Sequence, residues 1–293
     1  MEHTENLKAK KKSKGRFIVN HRFFSKFSSY FILTILAGIT VLPFVWTLST
    51  SLKSPSEPVF SNPPKFIPEN ITFQNFIDVW NTLPIPQYLW NSVIITFFGV
   101  VLPLLFASLA GFALARINFK GNKFIFILIV ATMMIPVEAS MIPIYLIISE
   151  LNLIGTYTGV ILPGAVNAFG IFLMRQAFKN IPKEVEESAI IDGANVFQIW
   201  WRVLLPMTKP VLATLTILSF IAAWNSFLWP LLILKDSSMY PITLGLYRLE
   251  SAFAANTRQV ATGTIIALIP ILIVFLSLQR HFIDSSSSGS VKG

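Results

Sequence analysis

The interval Asn180-Ile181-Pro182-Lys183-Glu184-Val185-Glu186-Glu187-Ser188-Ala189-Ile190-Ile191-Asp192-Gly193-Ala194-Asn195-Val196-Phe197-Gln198-Ile199-Trp200-Trp201-Arg202-Val203-Leu204-Leu205-Pro206 separates two long apolar runs of a 293-residue chain. Asn180 can cap a helix, Pro182 suits a first turn, and Glu184, Glu186 and Glu187 place negative charge where the helix dipole favours it. A short helix is therefore predicted to start near residue 181 or 182. Gly193 can take the left-handed conformation that ends a helix, and a second amphipathic stretch then runs to Leu205, where Pro206 closes it. Val196, Trp200 and Val203 fall on one face of that stretch by helical spacing. The interval thus reads as two short helices with a bend between them, lying at a membrane surface.

The flanking runs explain why a membrane is at hand. Six stretches, near 28–50, 92–114, 124–146, 158–178, 209–233 and 259–279, are apolar enough to cross a hydrocarbon core. Such a core is about 30 Å thick and takes about 20 helical residues. Lipid offers no partner to a free backbone N–H or C=O, so the spans must be helices or a closed barrel. The runs are continuously apolar rather than alternating, which decides for an all-α integral membrane protein. Composition agrees: 54% of residues are hydrophobic and 13% charged, against about 25% charged in soluble domains.

The net charge of +9 is not a nucleic-acid signature, because it is concentrated ahead of the first run. Eight basic residues fall between Lys8 and Lys26, three at Arg116, Lys120 and Lys123, five between Arg175 and Lys209, and two at Arg280 and Lys292. Those eighteen share one side of a six-span arrangement, and Lys53, Lys65, Lys235, Arg248 and Arg258 occupy the other. By the positive-inside rule both termini are predicted to be cytoplasmic. The run 27–48 exceeds the roughly 7–15 apolar residues of a signal peptide, and no small-x-small cleavage site follows it, so it reads as a retained anchor. The outside segment 51–91, rich in Pro and Trp, reads as an irregular loop with one short interfacial helix. Ser285 to Ser288 mark a polar tail. The chain holds no cysteine, which excludes disulfides and cysteine metal sites.

Within the opening interval, Glu187-Ser188-Ala189, Asp192-Gly193-Ala194 and Val203-Leu204-Leu205-Pro206 resemble the signature loop of binding-protein-dependent ABC importer permeases. That loop has the form Glu-Ala-Ala-x-x-x-Gly, nine residues, then Ile-x-Leu-Pro. Gly193 stands six after Glu187, and nine residues separate it from Val203. Ser188 replaces an alanine and Val203 an isoleucine, both small or isosteric changes. Met141-Ile142-Pro143, Ile161-Leu162-Pro163, Gly170-Ile171-Phe172-Leu173-Met174-Arg175-Gln176 and the ending Val291-Lys292-Gly293 are similar to the carbohydrate-uptake subfamily that includes the maltose importer's permeases.

The resemblance implies the type I importer permease fold with six transmembrane helices. Its parts are a basic cytoplasmic tail at 1–27, a first span and Pro-rich extracytoplasmic loop at 28–87, a transmembrane domain at 88–280 with its coupling loop at 180–210, and a cytoplasmic tail at 281–293. It also implies a bacterial or archaeal cell membrane, a second and homologous permease subunit, two ATPase subunits and an extracytoplasmic solute-binding protein. No Gly-x-x-x-x-Gly-Lys-Ser/Thr loop occurs, so ATP is expected on the partner ATPases, with no cofactor in this chain and no enzymatic role. The implied coupling residues are Glu187, Ser188, Ala189, Asp192, Gly193, Ala194, Leu205 and Pro206. Small Ser188, Ala189 and Ala194 allow close seating, Glu187 offers a carboxylate to a partner's Arg or Lys, and Gly193 fixes the exit turn.

Polar groups inside spans are costly and tend to face a bundle interior or a pathway. Glu138, Asn167 and Asn225 qualify as solute contacts, with Trp224 as a platform for a sugar ring; the plainer reading is that an Asn in a span bonds a neighbouring helix. The alternative class is a secondary transporter or channel not driven by ATP, for which Glu138 is the acidic candidate and Pro136 and Pro143 the helix interruption. A membrane enzyme is disfavoured, since His3, His21 and His281 lie far apart in sequence.

Overall fold

The computed structural model describes residues 2–252 and 256–287, with side chains described from 27 to 277 except at 248 and 250–255. The basic side chains of the tail, those of Arg248 and Arg280, and Lys292 with the ending Val291-Lys292-Gly293 lie outside what is described, as does the end of the serine run. Among the described residues the chain is helical without a strand, apart from an isolated bridge between Lys53 and Ile71.

Three helices are long and apolar enough to cross a bilayer: Phe27–Leu52 within α1 (Glu2–Leu52), α3 (Ile85–Arg116), and Thr257–Ser277 within α14 (Thr257–Ser287). Helices α1, α3 and α14 contain the predicted runs 28–50, 92–114 and 259–279. Between α1 and α3 lies α2 (Gln74–Thr82), the short helix expected in the Pro-rich loop.

The other three predicted spans are not straight. The third, 124–146, is α4 (Asn122–Thr132) and α5 (Val137–Glu150), bent by 103°. Pro136 explains the break, because a proline ring clashes with the carbonyl four residues back, here Thr132, the last residue of α4. The fourth is α6 (Tyr157–Ile161), continued by a 3-10 turn at Leu162–Gly164, and α7 (Ala168–Lys179), bent by 45°.

The predicted fifth span, 209–233, is α11 (Lys209–Trp224) and α12 (Leu228–Ile233), separated at 225–227. At 16 residues, α11 is about 24 Å long, short of a full crossing. Pro230 conflicts with the carbonyl of Ser226, and that freed carbonyl accepts the hydroxyl of Thr243 at 2.9 Å instead. The run ahead of α11, Val196–Met207, meets it at 81°. It comprises α9 (Val196–Gln198), a π-helical turn at Ile199–Leu204 and α10 (Leu205–Met207). Among the described residues there are three clear spans, or up to six if each bent pair counts as one.

Small residues set the closest helix contacts. A Cβ on Gly111 of α3 would stand 2.7 Å from that of Met174 in α7, and one on Gly99 would stand 2.9 Å from that of Ala223 in α11. Side-chain amides tie the ends. Asn91 of α3 donates to the carbonyls of Ser238 and Tyr240 and accepts the Tyr157 hydroxyl, while Ser92 accepts the N–H of Ile242 at the start of α13 (Ile242–Ala252). At the end of α1, Lys53 is fully buried against Trp46 and donates to the carbonyls of Val59 and Lys65, and Arg258 donates to those of Pro55 and Glu57. The Pro-rich loop is irregular but firmly held.

Candidate functional site

The opening interval folds as two helices joined by a turn. Helix α8 (Lys183–Ile191) begins one to two residues later than predicted, with Pro182 rather than Asn180 at its N-cap; Asn180 instead ends α7. Extended backbone at Pro182 (ψ 142°) turns the chain, and Glu184 and Glu186 sit in the first turn. The exit is a Schellman turn. Gly193 has φ +81°, its N–H reaches the carbonyl of Ile190, and that of Ala194 reaches Ala189, at 3.0 and 2.9 Å. Ser188 returns its hydroxyl to the Glu184 carbonyl at 2.7 Å.

Asn195 opens the second helix with a capping box. Its Oδ1 accepts the N–H of Gln198 at 2.9 Å, and Gln198 Oε1 accepts that of Asn195 at 2.8 Å. The Asn-x-x-Gln spacing carried this signal in the sequence, although only the Gly193 stop was read there. The predicted apolar face of Val196, Trp200 and Val203 is not the one that forms: Val196 is exposed, Val203 is half-buried, and Ile199, Trp200 and Leu204 are buried. From Ile199 onward the π turn contributes, since its extra residue per turn rotates later side chains off the 3.6-residue register. Pro206 lies inside α10 and the run ends one residue later, at Met207.

One face of this hairpin belongs to the transmembrane core. Ala189, Ile199, Trp200 and Leu204 pack in one cluster with Phe112 and Leu114 of α3 and Met174 and Phe178 of α7, and Leu205 and Ala194 pack against its margin. Two arginines staple the same junction. Arg116, the last residue of α3, donates to the carbonyls of Phe178 and Ile181 at 2.6 Å each and pairs with Glu186 of α8. Arg175 of α7 donates to the Leu114 carbonyl at 3.2 Å, with its guanidinium 3.7 Å from the Phe126 ring centre. In the sequence Arg116 read as an orientation charge, and Arg175 as that and as part of the stretch Gly170 to Gln176. The opposite face is open: Glu187, Ser188, Asp192 and Gly193 are exposed beside Ile191, Phe197 and Trp201.

The four residues singled out as pathway candidates do not converge. Asn167 borders a cavity of about 400 Å³ among α3, α5, α6 and α11, together with Ser219, Ser226 and Trp229. Its Oδ1 accepts the Gly170 N–H at 3.0 Å, so it also caps α7. Trp224 and Asn225 border a second cavity of about 430 Å³ with Phe227, Thr243 and Tyr247. The Trp224 ring is buried, stacked on Phe220, and donates its N–H to the Ala267 carbonyl. Tyr247, half exposed and edge-on to Phe227, offers the more open aromatic face. Glu138 lies in the first turn of α5, exposed and on neither cavity. No group of His, Asp or Glu able to hold a metal occurs among the described residues.

The described residues form a helical body with broken apolar spans and a surface hairpin packed on its core. The chain belongs to the family of binding-protein-dependent transport system inner membrane components, whose model matches residues 104–285. It is 37% identical over 262 residues to the arabinooligosaccharides transport system permease protein AraQ of Halalkalibacterium halodurans, covering 88% of this chain and 93% of that one. To the lactose transport system permease protein LacG of Rhizobium radiobacter it is 32% identical, covering 90% and 95%. A chain in the crystal structure of a bacterial ABC transporter involved in import of the acidic polysaccharide alginate matches with a TM-score of 0.79 and 31% identity, covering 89% of this chain and 97% of that one. The protein is thus an ABC importer permease subunit, a transport component rather than an enzyme. A secondary transporter or channel is set aside on the same grounds.

Proposed function

We propose that this chain forms half of the translocation pathway for a sugar or oligosaccharide and that residues 180–210 are the lever through which a separate ATPase drives it. One observation carries the lever: the hairpin's buried face shares a single packed cluster with α3 and α7. Packed interiors are close to incompressible, so displacing the hairpin displaces those helices with it. Glu187, Ser188, Asp192 and Gly193 form the face presented to the ATPase. Ala189, Ala194 and Leu205 hold that face to the bundle, and Pro206, exposed, shapes the end of the run. Glu187 supplies a carboxylate for a cation on the partner, and the Gly193 turn fixes the angle between α8 and the run that follows.

In this reading the chain crosses the membrane six times, in α1, α3, the α4–α5 pair, the α6–α7 pair, the α11–α12 pair and α14, with both termini in the cytoplasm of a bacterial or archaeal cell. The tail 1–27, the first span and outer loop 28–87, the transmembrane domain 88–280 and the tail 281–293 are its parts. It works beside a second, homologous permease, two ATP-binding subunits and an extracytoplasmic solute-binding protein. The sugar assignment follows relatives named for arabinooligosaccharides and lactose and a structure named for alginate. Asn167 on the first cavity and Asn225 on the second are its solute-facing groups, with Tyr247 in place of the buried Trp224 as the open aromatic face and Glu138 beside the break in the third span. ATP-driven closure of the partner carries the hairpin inward, and the cavities open alternately to either side.

The test is site-directed crosslinking in the assembled transporter. The chain has no native cysteine, so Glu187→Cys presents one thiol. Capture of the ATPase subunit, with a label reaching the thiol only from the cytoplasmic side, is the expected result. Labelling from outside, or no ATPase product while uptake proceeds, would remove the lever assignment.

A further inference from the structure

Helix α2 has three different faces, and only two of them are accounted for by protein and water. Asn75 and Val79 are buried, and the Asn75 amide donates to the carbonyls of Ser51 and Lys53 at the end of α1, both at 2.9 Å. At about 100° per residue, Gln74 and Asn81 share a polar, exposed side. Phe73, Ile77 and Trp80 share a third side, and all three are exposed, at 66%, 51% and 51%.

The axis of α2 must run along the membrane face. Its first turn is tied to the end of α1, and its last residue, Thr82, precedes the start of α3 by three. Both ends are therefore fixed to span ends on one side of the membrane. That side is opposite the 180–206 hairpin, because α3 finishes at Arg116 in contact with Glu186. The start of α3 carries an exposed apolar stripe of its own, with Trp90, Val93 and Phe97 exposed at 64%, 45% and 57%.

We infer that α2 is an in-plane anchor whose Phe73, Ile77 and Trp80 enter the lipid headgroup and acyl boundary on the side away from the hairpin. Helices with an uncharged aromatic and aliphatic side and a polar flank settle at that depth, and Trp is favoured there because its ring is apolar and its N–H is wet. The anchor fixes the height of the Pro-rich loop relative to the bilayer. The inference needs α1 and α3 to cross a bilayer; it does not need the hairpin to be a lever.

The test uses the full transporter, its subunits co-expressed and reconstituted in phosphatidylcholine and phosphatidylglycerol vesicles, with single nitroxide labels at Ile77→Cys, Trp80→Cys, Gln74→Cys and Asn81→Cys. A fifth label at Val93→Cys reports on the span itself. Collision with oxygen is expected to exceed collision with a water-soluble nickel complex several-fold more at 77 and 80 than at 74 and 81, with 93 behaving like 77. Nickel access at 77 and 80 would overturn the anchor in favour of an open docking surface. Exclusion of both reagents there would overturn it in favour of a protein partner. Nickel access at 93 would instead defeat the spanning assignment, and uptake measured on the same vesicles reports separately on the lever.

Discussion

The Nε of Arg116, at the end of α3, stands 3.6 Å from Oε2 of Glu186 in α8. The same guanidinium spans the carbonyls of Phe178 and Ile181, so one side chain joins a transmembrane helix, the end of a second and the first turn of the hairpin. The Arg116 side chain is 5% exposed and that of Glu186 22%, which places the contact where charges are weakly screened. Arginine suits this role because its planar fork serves several acceptors at once.

Replacing Arg116 by Ala leaves two carbonyls without their donor and the Glu186 carboxylate without its counter-charge, at about 1.5–3 kcal/mol for each lost hydrogen bond to a charged group. Uptake by the assembled transporter should fall by about tenfold or more, in the range of ordinary coupling energies. Arg116→Lys should be intermediate, since lysine keeps the charge without the fork. Uptake and ATPase activity on the same preparation check this; normal uptake by Arg116→Ala would show that the staple transmits nothing.

Gly193 tests the turn. A Cβ there meets no atom within 4 Å, so any penalty comes from the positive φ and not from crowding. Gly193→Val should cost about 1–3 kcal/mol and reduce uptake while membrane insertion is preserved. Gly193→Asn should be close to normal, because asparagine tolerates this conformation. Equal uptake by the Val and Asn variants would contradict the conformational argument.

Gly111 is the opposite case. A side chain there would meet Met174 Cβ at 2.7 Å and the Arg175 backbone nitrogen at 2.9 Å, neither of which can swing away. Gly111→Ala should destabilise by about 1–3 kcal/mol through overpacking, read as a lower thermal transition of the purified subunit in detergent. Larger residues should reduce the amount of folded protein recovered.

Asp236 gives a pH signature. The backbone and hydroxyl of Ser238 hold its carboxyl below the usual carboxylate range, and its Oδ1 accepts the Ser238 N–H at 2.8 Å. A depressed folded value means its stabilising contribution is present above the unfolded value, about 4, and is lost as pH falls through the folded one. The thermal transitions of wild type and Asp236→Ala should therefore differ at neutral pH and converge in acid. A difference that does not change with pH would rule out the carboxylate as the source.

Much of the fold was legible because a bilayer imposes a length and an apolarity that sequence displays directly. The unbroken helices α1, α3 and α14 fall where the apolar runs do. The bends were less legible, though their prolines were in plain view. Whether Pro136 kinks a span or breaks it by 103° depends on which neighbours satisfy the freed carbonyls. In the hairpin, Gly193 announced itself by residue type, while the π turn at Ile199–Leu204 and the exposed Val196 did not. A local period was assumed there, and packing against α3 and α7 changed it.

The amino-acid order by itself determined that the chain lives in lipid, where its apolar runs begin and end, and that a bent polar hairpin interrupts them at Gly193. Each of these is a property of local composition or of one residue's backbone freedom. Only the tertiary structure decided that Arg116 meets Glu186 across 70 positions, that Asn167 and Asn225 face different cavities, and that Trp224 is sealed while Tyr247 is open. Those are relations between distant segments, fixed by which helices can approach closely enough to pack.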